Sequence, residues 1–190
     1  MRNSTVSGLT ASAGFILSAD YEDHSATGMT LINNTFVGNN YIPTEGYNGL
    51  INCSAPCEIY NNTIINCPIA DNPLFQVGST SSFVGNLVVA NPGVESLEDI
   101  VFIRKATKYG NNLYDIEGSS ADLKSTKLEY LTNFIDGEYV AGTFKANLSK
   151  NGGFTTTVAL TSVNDGNGTD VRFSRTSGVD KDQRGVVRHL

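Results

Sequence analysis

Short apolar runs separated by asparagine, glycine and threonine recur along the chain. Thr30-Leu31-Ile32 is followed by Asn33-Asn34 and then by Thr35-Phe36-Val37. Glu58-Ile59-Tyr60, Asn61-Asn62 and Thr63-Ile64-Ile65 repeat that order, and so do the stretches from Phe83 to Val88 and from Lys108 to Tyr114. Aligned on the asparagine before each x-apolar step, Asn34, Asn62, Asn86 and Asn112 stand 28, 24 and 26 residues apart. The flanking runs have strand length, and none sustains a 3.6-residue period. Further strand-like pieces lie between them at Gly49-Leu50-Ile51, Leu74 to Val77 and Ile100 to Ile103.

Self-similarity at a period in the twenties is the signature of a solenoid. Leucine-rich repeats share the period but need a leucine framework that is missing here. About three short strands per repeat predict an all-β fold, a parallel β-helix. No coil buries its inner face alone, so coils stack and matching residues lie roughly 4.8 Å apart. Two properties explain the asparagines. Asparagine tolerates the left-handed backbone of a turn, and its amide bonds to the same amide one coil away. Asn34, Asn62, Asn86 and Asn112 are therefore the expected ladder. Residues 1–118 are assigned to the coils, with Val6 to Leu17 in poor register, and 119–190 to a β-rich C-terminal capping region.

Composition changes this picture little. The chain has 190 residues, 19 glycines, no tryptophan and a net charge of −6. Its charges are interspersed and form no basic patch, which argues against nucleic acid and anionic membranes as partners. No run reaches the length of a membrane span. The apolar run at 14–17 is too short for a signal-peptide core. An export signal upstream of Met1 is the expectation. Cys53, Cys57 and Cys67 are read as buried packing residues, with a Cys53–Cys57 disulfide as the alternative in an oxidising compartment. Without a C-x-x-C pair, and with His24 and His189 as the two histidines, no zinc site is expected. Asn3, Asn33, Asn52, Asn61, Asn147 and Asn167 stand in N-x-S/T sequons, which an Asn/Thr-rich chain produces by chance.

The repeats resemble the right-handed parallel β-helix family, whose coils carry steps like "NNTF" and "NNTI". The tail adds to the likeness. "NGGFTTTVAL" at 151–160 and "DQRGVVR" at 182–188 look like the choice-of-anchor region at the end of bacterial surface β-helix proteins. The "SPAIDAG"-like stretch of that family is replaced here by "TSVNDGNGTD". The resemblance implies an excerpt of an exported bacterial protein, secreted or held at the cell surface. It does not imply a reaction.

Candidate chemistry is sparse. Arg104, Lys105 and Lys108 with Asp115, and Asp20 with Glu22 and Asp23, form clusters that read as solvated turns. A lyase needs a base beside a calcium and a hydrolase needs grouped carboxylates, and neither set recurs at coil spacing. Asp165, Asn167 and Asp170 are the weak calcium candidates, in a loop without the distal glutamate of an EF-hand. Asp180, Asp182, Arg184 and Arg188 are expected to clamp the tail, with Asp182 and Arg184 foremost. Phe134, Tyr139, Phe144 and Phe154 would cover the final coil. Tyr41, Tyr47, Tyr60 and Tyr114 form either an outward stripe for sugars or packing residues. No catalytic residue, metal or cofactor is assigned. The expected role is a non-enzymatic adhesin or stalk that contacts polysaccharide or a host or cell-surface protein. The alternative is a fragment of a polysaccharide lyase or glycoside hydrolase.

Overall fold

The computed structural model describes residues 1–11, 15–19, 28–41, 49–53, 55–69, 72–78, 81–103, 108–110, 112–115, 125–127, 135–159 and 181–187. These residues are all-β apart from one four-residue helix. A first pass of the chain gives β1 (Thr5–Ser7), β2 (Thr10–Ala11) and β3 (Phe15–Ala19). The second gives β4 (Thr30–Ile32), β5 (Thr35–Val37), β6 (Asn40–Tyr41) and β7 (Gly49–Cys53). The third gives β8 (Glu58–Tyr60), β9 (Thr63–Ile65) and β10 (Phe75–Val77). The fourth gives β11 (Ser82–Val84), β12 (Leu87–Val89), helix α1 (Leu97–Ile100) and β13 (Val101–Ile103). The fifth gives β14 (Lys108–Gly110) and β15 (Asn112–Tyr114), and β16 (Ser125–Lys127) follows.

Each pass visits the same sheets in the same order, and each strand joins its counterpart from the previous pass in parallel. The six-stranded sheet runs β1-β5-β9-β12-β15-β16, and two four-stranded sheets run β4-β8-β11-β14 and β3-β7-β10-β13. Register follows the sequence repeat. Thr35 pairs with Thr63, Phe36 with Ile64, and Val88 with both Ile64 and Tyr114. The parallel stack continues to Ser125–Lys127, past the boundary expected at residue 118.

Inward columns form one core. Phe36, Ile64, Val88 and Tyr114 stack in the six-stranded sheet, and Ile51, Phe75 and Val101 stack in a second sheet. Phe75 meets Phe83 edge to face at 5.1 Å, a favoured aromatic geometry. Cys53 and Cys57 are bonded to each other across the corner between β7 and β8. They are therefore not free packing thiols: the corner brings two cysteines four residues apart together. Cys67 is a buried free thiol.

The six-stranded sheet has its outer face covered as well. Val37, Ile65, Leu87, Val89 and Leu113 point outward and form a second cluster with Ile135 and Phe144. The covering element is a strap made of β17 (Gly137–Val140), β18 (Thr143–Ala146), β19 (Leu148–Ser149) and β20 (Thr157–Val158). It consists of two antiparallel hairpin pairs. A tail of short antiparallel strands on or beside the end of the stack was expected. Its described part is antiparallel, lies along the flank of the six-stranded sheet and reaches back to the first two passes. The reason is the outward apolar column, since a parallel sheet buries both faces.

Candidate functional site

Two rows of buried polar groups run through the corners flanking the six-stranded sheet. In the first, the backbone N–H and Nδ2 of Asn34 both donate to Asn62 Oδ1, at 3.0 and 2.9 Å. Asn62 does the same to Asn86 Oδ1 at 3.0 and 3.0 Å, and Asn86 to Asn112 Oδ1 at 2.9 and 3.1 Å. Each Nδ2 also donates to a carbonyl of the preceding pass. The acceptors are Met1 for Asn34, Leu31 for Asn62, Ile59 for Asn86 and Phe83 for Asn112. Ser4 occupies the same position in the first pass and donates its N–H to Asn34 Oδ1 at 3.1 Å.

The left-handed residue of this corner is not the row asparagine but its predecessor. Asn33 has φ 54°, Asn61 φ 55° and Gly85 φ 70°, and Asn3 precedes Ser4 at φ 50°. The sequence reading combined two jobs in one residue. The chain divides them: the first residue turns the backbone, and the second bonds along the stack. This also explains why Asn33 and Asn61 are buried despite their sequons. Asn33 Nδ2 donates to the Lys181 carbonyl at 2.6 Å.

The second row was missed from the sequence. Leu9, Asn39, Cys67 and Asn91 follow the first row by five residues in each pass. Leu9 N–H donates to Asn39 Oδ1 at 3.2 Å and Cys67 N–H to Asn91 Oδ1 at 2.9 Å. Asn39 Nδ2 donates to the Val6 carbonyl at 2.9 Å and Asn91 Nδ2 to that of Ile64 at 3.3 Å. Again a left-handed residue precedes each member: Gly8, Gly38, Asn66 and Ala90, all with φ between 53° and 64°. Cys67 interrupts the amides. Asn39 Nδ2 reaches its sulfur at 3.9 Å. Burial pushes the Cys67 thiol up to about 11, partly offset by bonds from Asn39 and Gly38. A thiol held neutral is a poor nucleophile and metal ligand. The signal was present in the sequence: "NNTFVGNN", "NNTIINC" and "GNLVVAN" align Asn39, Cys67 and Asn91.

A third polar node fixes the strap. Thr35 Oγ1 donates to Gln183 Oε1 at 2.7 Å. Gln183 Nε2 donates to Thr5 Oγ1 at 3.1 Å and Thr155 Oγ1 at 2.9 Å. Thr5 Oγ1 donates to the Thr156 carbonyl and Thr155 Oγ1 to that of Asn3. Asp182 and Arg184, named from the sequence as the foremost tail clamp, pair with each other at 2.6 Å on the surface. Asp182 Oδ1 accepts the N–H groups of Arg184 and Val186, and Arg184 Nη1 reaches the Asn151 carbonyl at 3.3 Å. The ion pair shapes the turn, and Gln183 at its apex grips the passes. Two residues so close in sequence satisfy each other before they reach the stack.

Among the described residues the tyrosines form no outward stripe. Tyr41 and Tyr114 are buried, Tyr60 is half-buried, and Tyr47 lies outside the described residues. Asp165, Asn167, Asp170, Asp180 and Arg188 also lie outside them, as do Asp20, Glu22, Asp23, Arg104, Lys105 and Phe134. Asp115 Oδ2 accepts the Ala90 N–H at 2.9 Å. Among the described residues no group of three or more His, Cys, Asp or Glu is placed to hold a metal, and no helix is long and apolar enough to cross a membrane. Compared with known proteins, the chain matches no family model, no curated protein and no solved structure.

Proposed function

We propose that the chain is a right-handed parallel β-helix from an exported protein, acting as a non-enzymatic adhesin or stalk domain. The observation that carries this reading is the in-register stacking, with the second to fifth passes repeating a buried amide at Asn34, Asn62, Asn86 and Asn112 and an inward apolar residue two positions on. Such a stack is stiff along its length, because every pass is bonded to its neighbours through both backbone and side chains. Right-handedness follows from the strong bias of parallel crossovers. The Cys53–Cys57 disulfide supports an oxidising location outside the cytosol.

The two halves of the choice-of-anchor-like tail meet in space, which supports reading them as one unit. Gly153 packs closely against Arg184, whose Cα would lie 3.0 Å from a Cβ at position 153. The stalk presents its remaining outer faces to polysaccharide or to a cell-surface protein. The test is retention of the purified chain on immobilised polysaccharides and on cell surfaces, with product formation measured in the same wells. Retention without release of sugar supports the reading. Release of new reducing or unsaturated ends overturns it in favour of a carbohydrate-active enzyme.

A further inference from the structure

The Cys53–Cys57 disulfide lies inside the stack, not on its surface. Cys53 belongs to an inward column and pairs in register with Val77 of β10. Cys53, Ala55 and Cys57 are at most 1% exposed and join the core cluster with Ile51, Phe75 and Val77. The corner is also tied to the corners before and after it. On one side Glu58 N–H donates to the Met29 carbonyl at 2.9 Å. Gly28 lies so close to the Pro56 carbonyl that a Cβ added to it would stand 1.4 Å from that oxygen. On the other side Gly78 N–H donates to the Cys53 carbonyl and Ser82 N–H to that of Cys57, each at 2.7 Å. Cys57 N–H donates to Ser81 Oγ at 3.0 Å.

A disulfide is made or broken when a further sulfur reaches one of its two sulfurs, so the rate depends on access. In the stacked chain neither cysteine meets solvent, and access requires the corner to part from its neighbours. The same corner one pass later closes without a covalent bond. Val77 is level with Cys53, and the pairing of Ser82 with Glu58 sets Ser81 level with Cys57. There Ser81 Oγ donates to the Gly78 carbonyl at 2.7 Å. A corner of this length therefore stacks on hydrogen bonds alone. A chain that stacks before oxidation would shut its two thiols inside.

We propose that the chain is a substrate of thiol oxidation before its passes stack. The Cys53–Cys57 bond forms in the open chain by exchange with a disulfide-bearing oxidant, and stacking then seals it. One cysteine thiolate attacks a sulfur of the oxidant, forming a mixed disulfide and expelling one thiolate. The second cysteine thiolate attacks the first cysteine's sulfur and expels the other. Two electrons pass from Cys53 and Cys57 to the oxidant, and the two protons the cysteines lose are taken up by the two expelled thiolates. Cys67, the third thiol, is buried beyond β8 and β9 in the second row, so in the stacked chain it is kept from exchanging with the pair.

The test starts from full chain that is reduced and unfolded in urea, then diluted into buffer. Oxidised glutathione is present from the start, or is added after the circular dichroism signal has returned. Alkylation of free thiols in urea and peptide mass mapping then count the Cys53–Cys57 bond. Early addition should form it nearly completely, and late addition at least about tenfold less in the same time. In the converse arm, dithiothreitol should break the bond of the folded, oxidised chain at least about a hundredfold more slowly in buffer than in urea. Equal bond formation from early and late addition, or equal reduction rates in buffer and urea, overturns the proposal by showing that the folded corner opens to exchange. Early addition that pairs Cys67 instead also overturns it. A reduced chain that regains its signal only when oxidant arrives supports the same order, with oxidation required for stacking.

Discussion

Asn62 donates its backbone N–H and its Nδ2 to the one side-chain oxygen of Asn86, each at 3.0 Å. Asn62 Oδ1 in turn accepts both donors of Asn34. A single amide thus satisfies two buried donors from the pass before it and anchors itself on the pass after it. Asn62→Leu keeps the volume and removes all of this. It leaves the N–H and Nδ2 of Asn34 and the carbonyl of Leu31 short of partners in a dry corner. Each such group costs about 1–3 kcal/mol, so a loss of about 2–4 kcal/mol is expected once the corner relaxes. Ser4 joins the same row through its backbone N–H, which alanine keeps, so Ser4→Ala removes only the Oγ bond to the Arg2 carbonyl and should cost less than about 1 kcal/mol. Urea titration of both variants measures the contrast, and equal costs would show that the Asn62 amide does not hold the passes together.

The repeat spacing and the strand class were legible because asparagine, glycine and apolar residues alternate at nearly constant intervals. The first pass was not legible, because Ser4 and Leu9 stand where later passes have asparagine, although the register Thr5 to Thr35 is regular. The flank position of the strap was not legible for a different reason. "TFV" and "TII" on the six-stranded sheet read no differently from "SFV" and "EIY" elsewhere, yet both apolar residues are buried in the former and only the first of the two in the latter. Alternation alone therefore does not announce that this sheet is buried on both faces. The Gln183 node brings together residues up to 178 positions apart, and no local pattern announces a contact of that kind.

Cys67 sits where Asn39 and Asn91 call for a third amide. An asparagine there is expected to donate Nδ2 to the Phe36 carbonyl, by analogy with Asn39 on Val6 and Asn91 on Ile64. Its Oδ1 would accept from Asn39, replacing a weak contact to sulfur at 3.9 Å. Cys67→Asn should therefore stabilise the fold by about 0.5–1.5 kcal/mol. A lower urea midpoint in this variant would mean that the corner has no room for the amide.

The same thiol makes the protein sensitive to alkali. In the folded chain Cys67 titrates at about 11, against an ordinary value of 9.0. Below pH 9 both folded and unfolded chains hold the proton, and the contribution to stability is complete. Between pH 9 and 11 the unfolded chain releases it while the folded chain does not, so stability falls. Above pH 11 the slope from this group ends. The loss is on the order of 2–3 kcal/mol. Tyrosines and lysines titrate in the same window, so the informative quantity is the difference between the native chain and Cys67→Asn in urea melts at pH 8, 9, 10 and 11. The two should diverge steadily across that series, and parallel curves would place the thiol in water.

Ala90 turns its corner at φ 53°, where Gly38 and Asn66 occupy the matching positions. A Cβ in the left-handed region is strained, and alanine has no side-chain bond to compensate. Ala90→Gly should raise stability by about 0.5–1 kcal/mol, with Ala90→Asn close behind. Thermal unfolding would show this as a higher midpoint without a change in cooperativity. A lower midpoint would mean that packing of the Ala90 methyl against the strap outweighs the backbone strain.

Phe144 and Tyr139 face each other across the strap hairpin, with ring centroids 5.4 Å apart, yet they do different work. Phe144 is buried against the outward apolar column of the six-stranded sheet, whereas Tyr139 lies mostly in solvent. Phe144→Ala should cost about 3–5 kcal/mol through lost burial and the cavity left behind. Tyr139→Ala should cost less than about 1.5 kcal/mol, the value of the aromatic pair alone. The location of the damage is the sharper test. If the strap seals the flank, Phe144→Ala should speed amide hydrogen exchange in the backbone of β9 and β12 beneath it, and leave β7 and β10 on another face protected. Uniform acceleration throughout the stack would mean that strap and stack unfold as one unit. Exchange confined to β17 and β18 would mean that the strap rests on a sheet stable without it.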